Sequence, residues 1–174
     1  MLPDVVLIMA GTNDMNRDVN VTTAPQRLGS LIDEVVAACP SAAVVVAGIV
    51  PIQTSEAETR VLSFNDAIPG LVAERVGMGK RVVGINMSDY LTVNDTADMF
   101  DGLHPNDGGY ALLARGWYDG IAEAAEKGWV SGSGNATATG VSRPAATNKV
   151  NSGLGLRGSN LWIVVGMFVL LASL

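Results

Sequence analysis

The only histidine of this 174-residue chain stands in the segment Asp101-Gly102-Leu103-His104-Pro105. A neutral imidazole can act as a general base near pH 7, and a carboxylate three residues earlier in a non-helical loop can reach its second ring nitrogen. A lone histidine is more often a structural or surface residue, so this segment alone is compatible with both interpretations. The chemistry it would support is removal of a proton from a hydroxyl nucleophile.

A second polar segment, Gly11-Thr12-Asn13-Asp14, follows the apolar run at residues 5–10. Glycine, asparagine and aspartate are ordinary turn formers, so the tetrapeptide by itself indicates no more than a turn. Its position at the mouth of a predicted strand makes it a candidate for ligand contact.

Apolar runs and helical periodicity predict the elements that position these two segments. Buried strands are predicted over residues 5–10, 42–50 and 81–86. Helices are predicted from a Thr22 or Thr23 cap to Pro40, over residues 55–76 with a kink or division at Pro69, and from an Asn106 cap onward. In the last helix, Leu113, Trp117 and Ile121 share one face, with Tyr110 and Ala124 near it.

Strands that alternate with helices predict an α/β fold, in which a parallel sheet is covered by helices on both faces. Ligands of such sheets collect at the carboxyl ends of the strands. The segments after residues 10, 50 and 86 are therefore the expected location of a site. Cys39, the only cysteine, cannot form a disulfide within the chain and is predicted to be a small buried side chain near a helix end.

Residues 3–8 with Gly11-Thr12-Asn13-Asp14, followed by Asp101-Gly102-Leu103-His104-Pro105-Asn106, resemble the third and fifth sequence blocks of the SGNH or GDSL hydrolase superfamily. The acetylxylan-esterase-like carbohydrate esterases are the most similar members. The resemblance covers residues 3–126 and implies a three-layer α/β/α, flavodoxin-like parallel sheet. It implies no metal and no organic cofactor.

The resemblance assigns roles to individual residues. Asn13 matches the asparagine whose amide donates to the oxyanion, His104 matches the general base, and Asp101 matches the acid that orients the imidazole. Gly11 and Asp14, in the block that holds Asn13, become candidates for substrate binding.

The superfamily's nucleophile block is missing from this sequence. No Gly-Asp-Ser triplet occurs in it, and Ser55 and Ser88, near predicted strand ends, are weak substitutes. The first strands of the fold are also absent, which predicts an uncovered apolar edge beside residues 5–10. The sequence is compatible with a fragment of an esterase, inactive as written, or with a complete non-catalytic relative.

Charge separates the chain into two parts. Residues 1–128 carry 8 basic and 17 acidic side chains, whereas three basic and no acidic side chains follow. The negative first part would repel phosphate backbones, so nucleic acid is excluded as an expected partner, whereas small esters and acylated polysaccharides are not.

Three segments are predicted: a hydrolase domain over residues 1–128, a disordered Ser/Thr/Gly-rich stalk over 129–160 and a hydrophobic tail over 161–174. The fourteen-residue tail is shorter than the roughly 20 residues that cross a bilayer. Asn151, Ser152 and Gly153 with the following spacer resemble a glycosylphosphatidylinositol (GPI) attachment signal, and a short tail anchor is the alternative.

Four Asn-x-Ser/Thr triplets predict N-glycosylation of Asn20, Asn86, Asn94 and Asn135. With the stalk and the tail, they favour an extracellular protein held at the cell surface or in the cell wall.

The sequence thus predicts a serine esterase that acts on small acyl groups, acetyl esters of cell-wall carbohydrate in particular. The alternative is a non-catalytic surface protein that binds carbohydrate or has a structural role.

Overall fold

The described part of the chain forms a sheet of four parallel strands. The computed structural model describes residues 2–92, 96–130 and the backbone of residues 163–166. The strands are β1 (Val5–Ile8), β2 (Ala43–Ala47), β3 (Val82–Ile85) and β4 (Ile163–Gly166), and the helices are α1 (Thr12–Arg17), α2 (Ala24–Ala38), α3 (Ser55–Gly77) and α4 (Asp107–Glu126). The strand order is β3-β2-β1-β4, and every pair is parallel.

Burial on both faces explains why the central strands are almost entirely apolar. All five residues of β2 are buried, and its neighbours pair with it in the register Val5↔Ala43 and Val44↔Val82. On one face, Ile8, Val44 and Val46 pack with side chains of α2 and α3. On the other face, β1 and β2 pack against α4. The predicted α/β/α layering is therefore confirmed.

The helix boundaries largely follow the predicted caps. Thr23 stands at the N-cap position of α2, which has a proline in its first turn, but the Thr23 side chain makes no capping hydrogen bond. At the start of α4, the side-chain oxygen of Asn106 accepts hydrogen bonds from the backbone N–H groups of Gly108 and Gly109 at 2.9 and 3.2 Å. The carboxamide therefore satisfies two of the N–H groups that lack partners at a helix start.

One predicted break does not occur. α3 continues without division from Ser55 to Gly77, with Pro69 inside it. Pro69 lies on the exposed side of the helix, where water can hydrogen-bond the carbonyl oxygen that a proline leaves without a donor. The prediction that Pro69 divides the helix is therefore wrong.

Two side chains are less buried than predicted. Tyr110 is half exposed rather than close to the inner face of α4, and Cys39, the residue directly after α2, is only partly buried. The inner face of α4 is formed largely by small residues that allow the helix to approach the sheet: Gly109, Gly116, Gly120 and Ala124.

The edge of β1 is covered, contrary to the prediction. Residues 163–166 form β4 and pair with β1 in the register Val5↔Ile163. A parallel strand at this edge satisfies backbone groups that an open edge leaves unpaired. The remainder of the predicted tail and residues 131–160 of the predicted stalk lie outside the described residues, whereas Trp129 and Val130 pack against the core.

An ion pair between a buried arginine and an exposed aspartate joins the two helices on one face of the sheet. Arg75 of α3 is 6% exposed, and its Nε and Nη2 donate to the two carboxylate oxygens of Asp33 in α2 at 2.8 and 2.7 Å. The two-point contact fixes the relative orientation of α2 and α3. No helix within the described residues is long and apolar enough to span a bilayer.

Two glycine substitutions test how closely α4 packs on the sheet. A Cβ at Gly120 would lie 2.6 Å from Val45 Cγ1 and 2.8 Å from Ile85 Cγ1, whereas a Cβ at Gly70 in α3 would meet nothing within 4 Å. Gly120→Ala should lower the free energy of unfolding by about 1–3 kcal/mol through overpacking. Gly70→Ala should raise it by about 0.5–1 kcal/mol, because alanine has the higher helix propensity. Urea denaturation of both variants measures the two effects, and equal stabilities would contradict this packing.

Candidate active site

His104 lies in a tight hairpin that leads into α4. Met99 and Pro105 form an antiparallel bridge, and the backbone N–H of Phe100 donates to the carbonyl oxygen of His104 at 2.7 Å. Gly102, with a φ of 78°, supplies the left-handed conformation at the tip of this hairpin. The β-bridge and the backbone hydrogen bond therefore join the two chain segments that flank residues 101–104.

Asp101 and His104 are in direct contact. Nδ1 of the imidazole lies 2.8 Å from Asp101 Oδ2 and 3.1 Å from Oδ1. Because an ionised carboxylate only accepts hydrogen bonds, Nδ1 carries the proton and donates it. In the neutral imidazole, Nε2 then holds the lone pair that a general base needs.

The carboxylate of Asp101 is also held by the backbone. Its Oδ1 accepts hydrogen bonds from the N–H groups of Leu103 and His104 at 3.0 and 2.8 Å. The hydrogen bond from the His104 side chain, followed by those from the backbone N–H groups of His104 and Leu103, lowers the pKa of Asp101 from 3.8 to about 2. Asp101 is therefore a carboxylate throughout the range in which an imidazole titrates.

Asn13 lies at the carboxyl end of β1, in the first turn of the short helix α1. Gly11 precedes this helix with a φ of 120°, a conformation that side chains rarely adopt. The sequence predicted only a turn here. Within the described part of the chain, the Asn13 side chain has no hydrogen-bond partner, so its amide is available to a ligand.

The helices on one face of the sheet hold α1 in place. A Cβ at Gly11 would lie 2.9 Å from Cζ of Phe64, Arg60 Nε donates to the Met15 carbonyl oxygen at 2.7 Å, and Arg27 pairs with Asp14 at 2.9 Å. The observed contacts of Gly11 and Asp14 are thus structural, and substrate binding by either remains a prediction.

The segment after β2 forms another side of the same edge. Asn65 of α3 accepts a hydrogen bond from the Ile49 N–H and donates one to the Ile49 carbonyl oxygen, both at 2.9 Å. Glu58 accepts one from the Ile52 N–H at 2.7 Å. The sequence analysis missed these residues, although polar side chains on the inward side of an amphipathic helix were a usable signal.

A backbone hydrogen bond connects this segment to the histidine hairpin. The N–H of Gln53 donates to the carbonyl oxygen of Gly102 at 2.9 Å. Leu103 packs against the core cluster that contains Ile8 and Met15, on either side of the Asn13 turn. The carboxyl edge of the sheet therefore brings together the Asn13 turn after β1, the segment after β2 and the hairpin that contains His104.

The other predicted sites are only partly within the described residues. Asn20 and Asn86 are exposed, and the Asn86 amide donates to Asp89 Oδ1 at 2.9 Å. Asn94, Asn135, Asn151, Ser152 and Gly153 lie outside the described residues. In the part of the chain that is described, no group of three His, Cys, Asp or Glu side chains is placed to hold a metal ion.

Comparison with known proteins relates this edge to a family. Residues 2–112 match the model of the GDSL-like lipase/acylhydrolase family. A protein of Acetivibrio thermocellus, provisionally named endoglucanase X, is 32% identical over 116 residues, which are 67% of this chain and 49% of that protein.

Solved structures give the same relationship. A family 3 carbohydrate esterase from Clostridium thermocellum is 28% identical, with a TM-score of 0.62, over 74% of this chain and 60% of that one. A family 3 carbohydrate esterase from Talaromyces cellulolyticus is 27% identical, with a TM-score of 0.61, over 72% and 60%. The chain thus spans about half to three fifths of the length of these relatives. It belongs to the GDSL-like lipase/acylhydrolase family.

Proposed function

We propose that this chain supplies the general base and an oxyanion donor of a serine esterase that removes small acyl groups, acetyl in particular, from carbohydrate. The observation that carries the proposal is the contact between His104 Nδ1 and Asp101 at the carboxyl edge of the sheet. The similarity to family 3 carbohydrate esterases supports an acylated carbohydrate as the substrate.

In the proposed mechanism, Nε2 of His104 removes the proton of a serine hydroxyl as the serine oxygen attacks the ester carbonyl. Asp101 stabilises the imidazolium that forms, and the Asn13 amide donates to the oxyanion. His104 then gives the proton to the leaving sugar oxygen. Water hydrolyses the acyl-enzyme by the same steps, which releases the acid.

The serine of this mechanism is proposed to come from outside these 174 residues. The family resemblance places it in a Gly-Asp-Ser block, and the chain contains no such triplet. That same observation favours a second candidate function, a non-catalytic protein that binds carbohydrate. A serine-bearing segment encoded in frame upstream would favour the esterase.

We further propose that the protein is extracellular and held at the cell surface through a GPI anchor or a short tail anchor. The support is the sequence pattern of residues 151–174 and the Asn-x-Ser/Thr triplets at Asn20 and Asn86, both of which are exposed.

The activity test compares the 174-residue chain with the same chain extended by an upstream segment that carries a Gly-Asp-Ser block. The short chain should hydrolyse p-nitrophenyl acetate no faster than its His104→Ala variant, because a base and an oxyanion donor alone form no acyl-enzyme. The extended chain should turn over, and there His104→Ala should lower kcat by about a hundredfold to ten-thousandfold and Asn13→Ala by about a hundredfold or more. Unchanged kcat values in both extended variants would refute the assignment.

The acidity of Asp101 provides a test that needs no turnover. The carboxyl ¹³C shift should follow a pKa of about 2 in the intact chain, below the ordinary value of 3.8. His104→Ala removes the main cause, so the pKa should rise part of the way towards 3.8, while the backbone donors keep it lower. Because the folded-state pKa is the lower one, the contribution of Asp101 to stability is present above pH 3.8 and is lost as the pH falls towards 2. A midpoint of 3.8 in the intact chain would contradict the contact.

Mass spectrometry of the protein from a eukaryotic secretory host tests the anchor. A GPI anchor predicts a C-terminal peptide that ends within residues 151–153 and carries a glycolipid. An intact peptide that contains residues 162–174 would show instead that the tail is retained. A tail anchor and the pairing of residues 163–166 with β1 both require this, and they exclude each other.

A further inference from the structure

Phe100 is the most exposed of the large apolar side chains in the described part of the chain, with 81% of its surface accessible. Burial of this ring against a ligand would be favourable. An isolated exposed apolar residue needs no explanation, but this one immediately precedes Asp101.

The hairpin pairs Phe100 with His104. The Met99–Pro105 bridge is flanked by two backbone hydrogen bonds, from the Asn106 N–H to the Asp98 carbonyl and from the Phe100 N–H to the His104 carbonyl. This pattern places Phe100 directly opposite His104. Side chains of directly opposite residues project from the same side of an antiparallel pair, with Cβ atoms about 4.5–5.5 Å apart.

Both side chains are exposed: 81% of the surface of Phe100 and 59% of the imidazole are accessible. Because Nδ1 of the imidazole is engaged by Asp101, Nε2 is the ring nitrogen that is left for a ligand. No side chain of the described core covers the phenyl ring.

The chemistry of the base indicates which part of an ester lies there. His104 would return its proton to the leaving alcohol oxygen, so that oxygen must be within hydrogen-bonding distance of Nε2. The carbonyl oxygen is directed towards the Asn13 amide instead. A residue opposite the base is therefore placed beside the alcohol part of the ester rather than beside the oxyanion.

We infer that Phe100 is a substrate-contacting residue that stacks on a pyranose ring of the alcohol part of the ester. This inference rests on the proposed function, which makes that alcohol a sugar. The apolar C–H face of a pyranose is complementary to a flat aromatic ring. The negative charge of the surrounding chain, with Asp98, Asp101 and Asp107 in and next to the hairpin, disfavours an anionic ligand.

A binding experiment on the 174-residue chain tests the assignment of Phe100. Because this chain is expected not to hydrolyse esters, an ester ligand stays intact during the titration. Partly acetylated xylotetraose is titrated into the ¹⁵N-labelled chain and into its Phe100→Ala and Phe100→Trp variants. Phe100→Ala should weaken binding by about tenfold, the loss expected when one aromatic contact is removed. Phe100→Trp, which keeps a flat face, should bind at least as tightly as the unsubstituted chain.

Tyr118→Ala is the matched control. Tyr118 is another exposed aromatic residue, 52% accessible, but it lies three turns along α4 from the hairpin. The Tyr118→Ala variant should bind xylotetraose with the same affinity as the unsubstituted chain. Because both aromatic rings are exposed, neither alanine variant should unfold, and the amide spectra provide the check.

Equal affinities of the unsubstituted chain and Phe100→Ala for xylotetraose would overturn the inference. The absence of binding by the unsubstituted chain would also overturn it. A dependence on Phe100 in the extended chain that grows with the acyl length of p-nitrophenyl esters would place the ring at the acyl group instead. p-Nitrophenyl acetate contains no sugar, so its hydrolysis by the extended chain tests the proposed function and not the Phe100 assignment. Loss of this hydrolysis in His104→Ala can therefore be observed while sugar binding does not depend on Phe100. Equally, sugar binding can depend on Phe100 while the hydrolysis does not depend on His104.

Discussion

Burial of β2 between two helix layers is the constraint on which the candidate site depends. All five residues of β2 are buried, as is typical of parallel strands covered by helices on both faces, and β2 pairs in parallel with both β1 and β3. Parallel pairing brings the carboxyl ends of β1 and β2 to one edge. The Asn13 turn and the Gly48–Gln53 segment therefore emerge side by side, and the histidine hairpin joins them through the bond between Gln53 and Gly102.

Polar side chains of α3, rather than contacts within the loops, hold the loops at this edge in place. Asn65 satisfies both backbone groups of Ile49, Glu58 satisfies the Ile52 N–H, and Arg60 satisfies the Met15 carbonyl. Buried backbone groups need such partners, because leaving one unpaired costs about 1–3 kcal/mol. One helix thus positions both the β1 turn and the β2 segment, which explains why its inner face is less apolar than that of α2.

The Asp101–His104 pair has a different physical basis. Its geometry is determined within seven residues by a bridge, a left-handed glycine and two backbone N–H groups that donate to the carboxylate. Such a unit keeps the acid ionised and the imidazole oriented even though both side chains are well exposed. What the rest of the fold contributes is the placement of this unit, since the hairpin continues directly into α4. This helix packs on the sheet through Gly120 and on Met87 and Tyr90, after β3, through Gly116.

Local patterns in the sequence were sufficient for β1, β2 and β3, for the Asn106 cap and for the contact of Asp101 with His104, because each depends on residues fewer than about ten positions apart. The tertiary structure was needed for the contacts that join distant segments. Asn65 is sixteen residues from Ile49, the continuity of α3 through Pro69 depends on the proline facing solvent, and residues 163–166 reach β1 from the far end of the chain. Periodicity reports which face of an element is apolar but carries no information about which partner covers it, so long-range contacts of this kind are decided only when the layers pack.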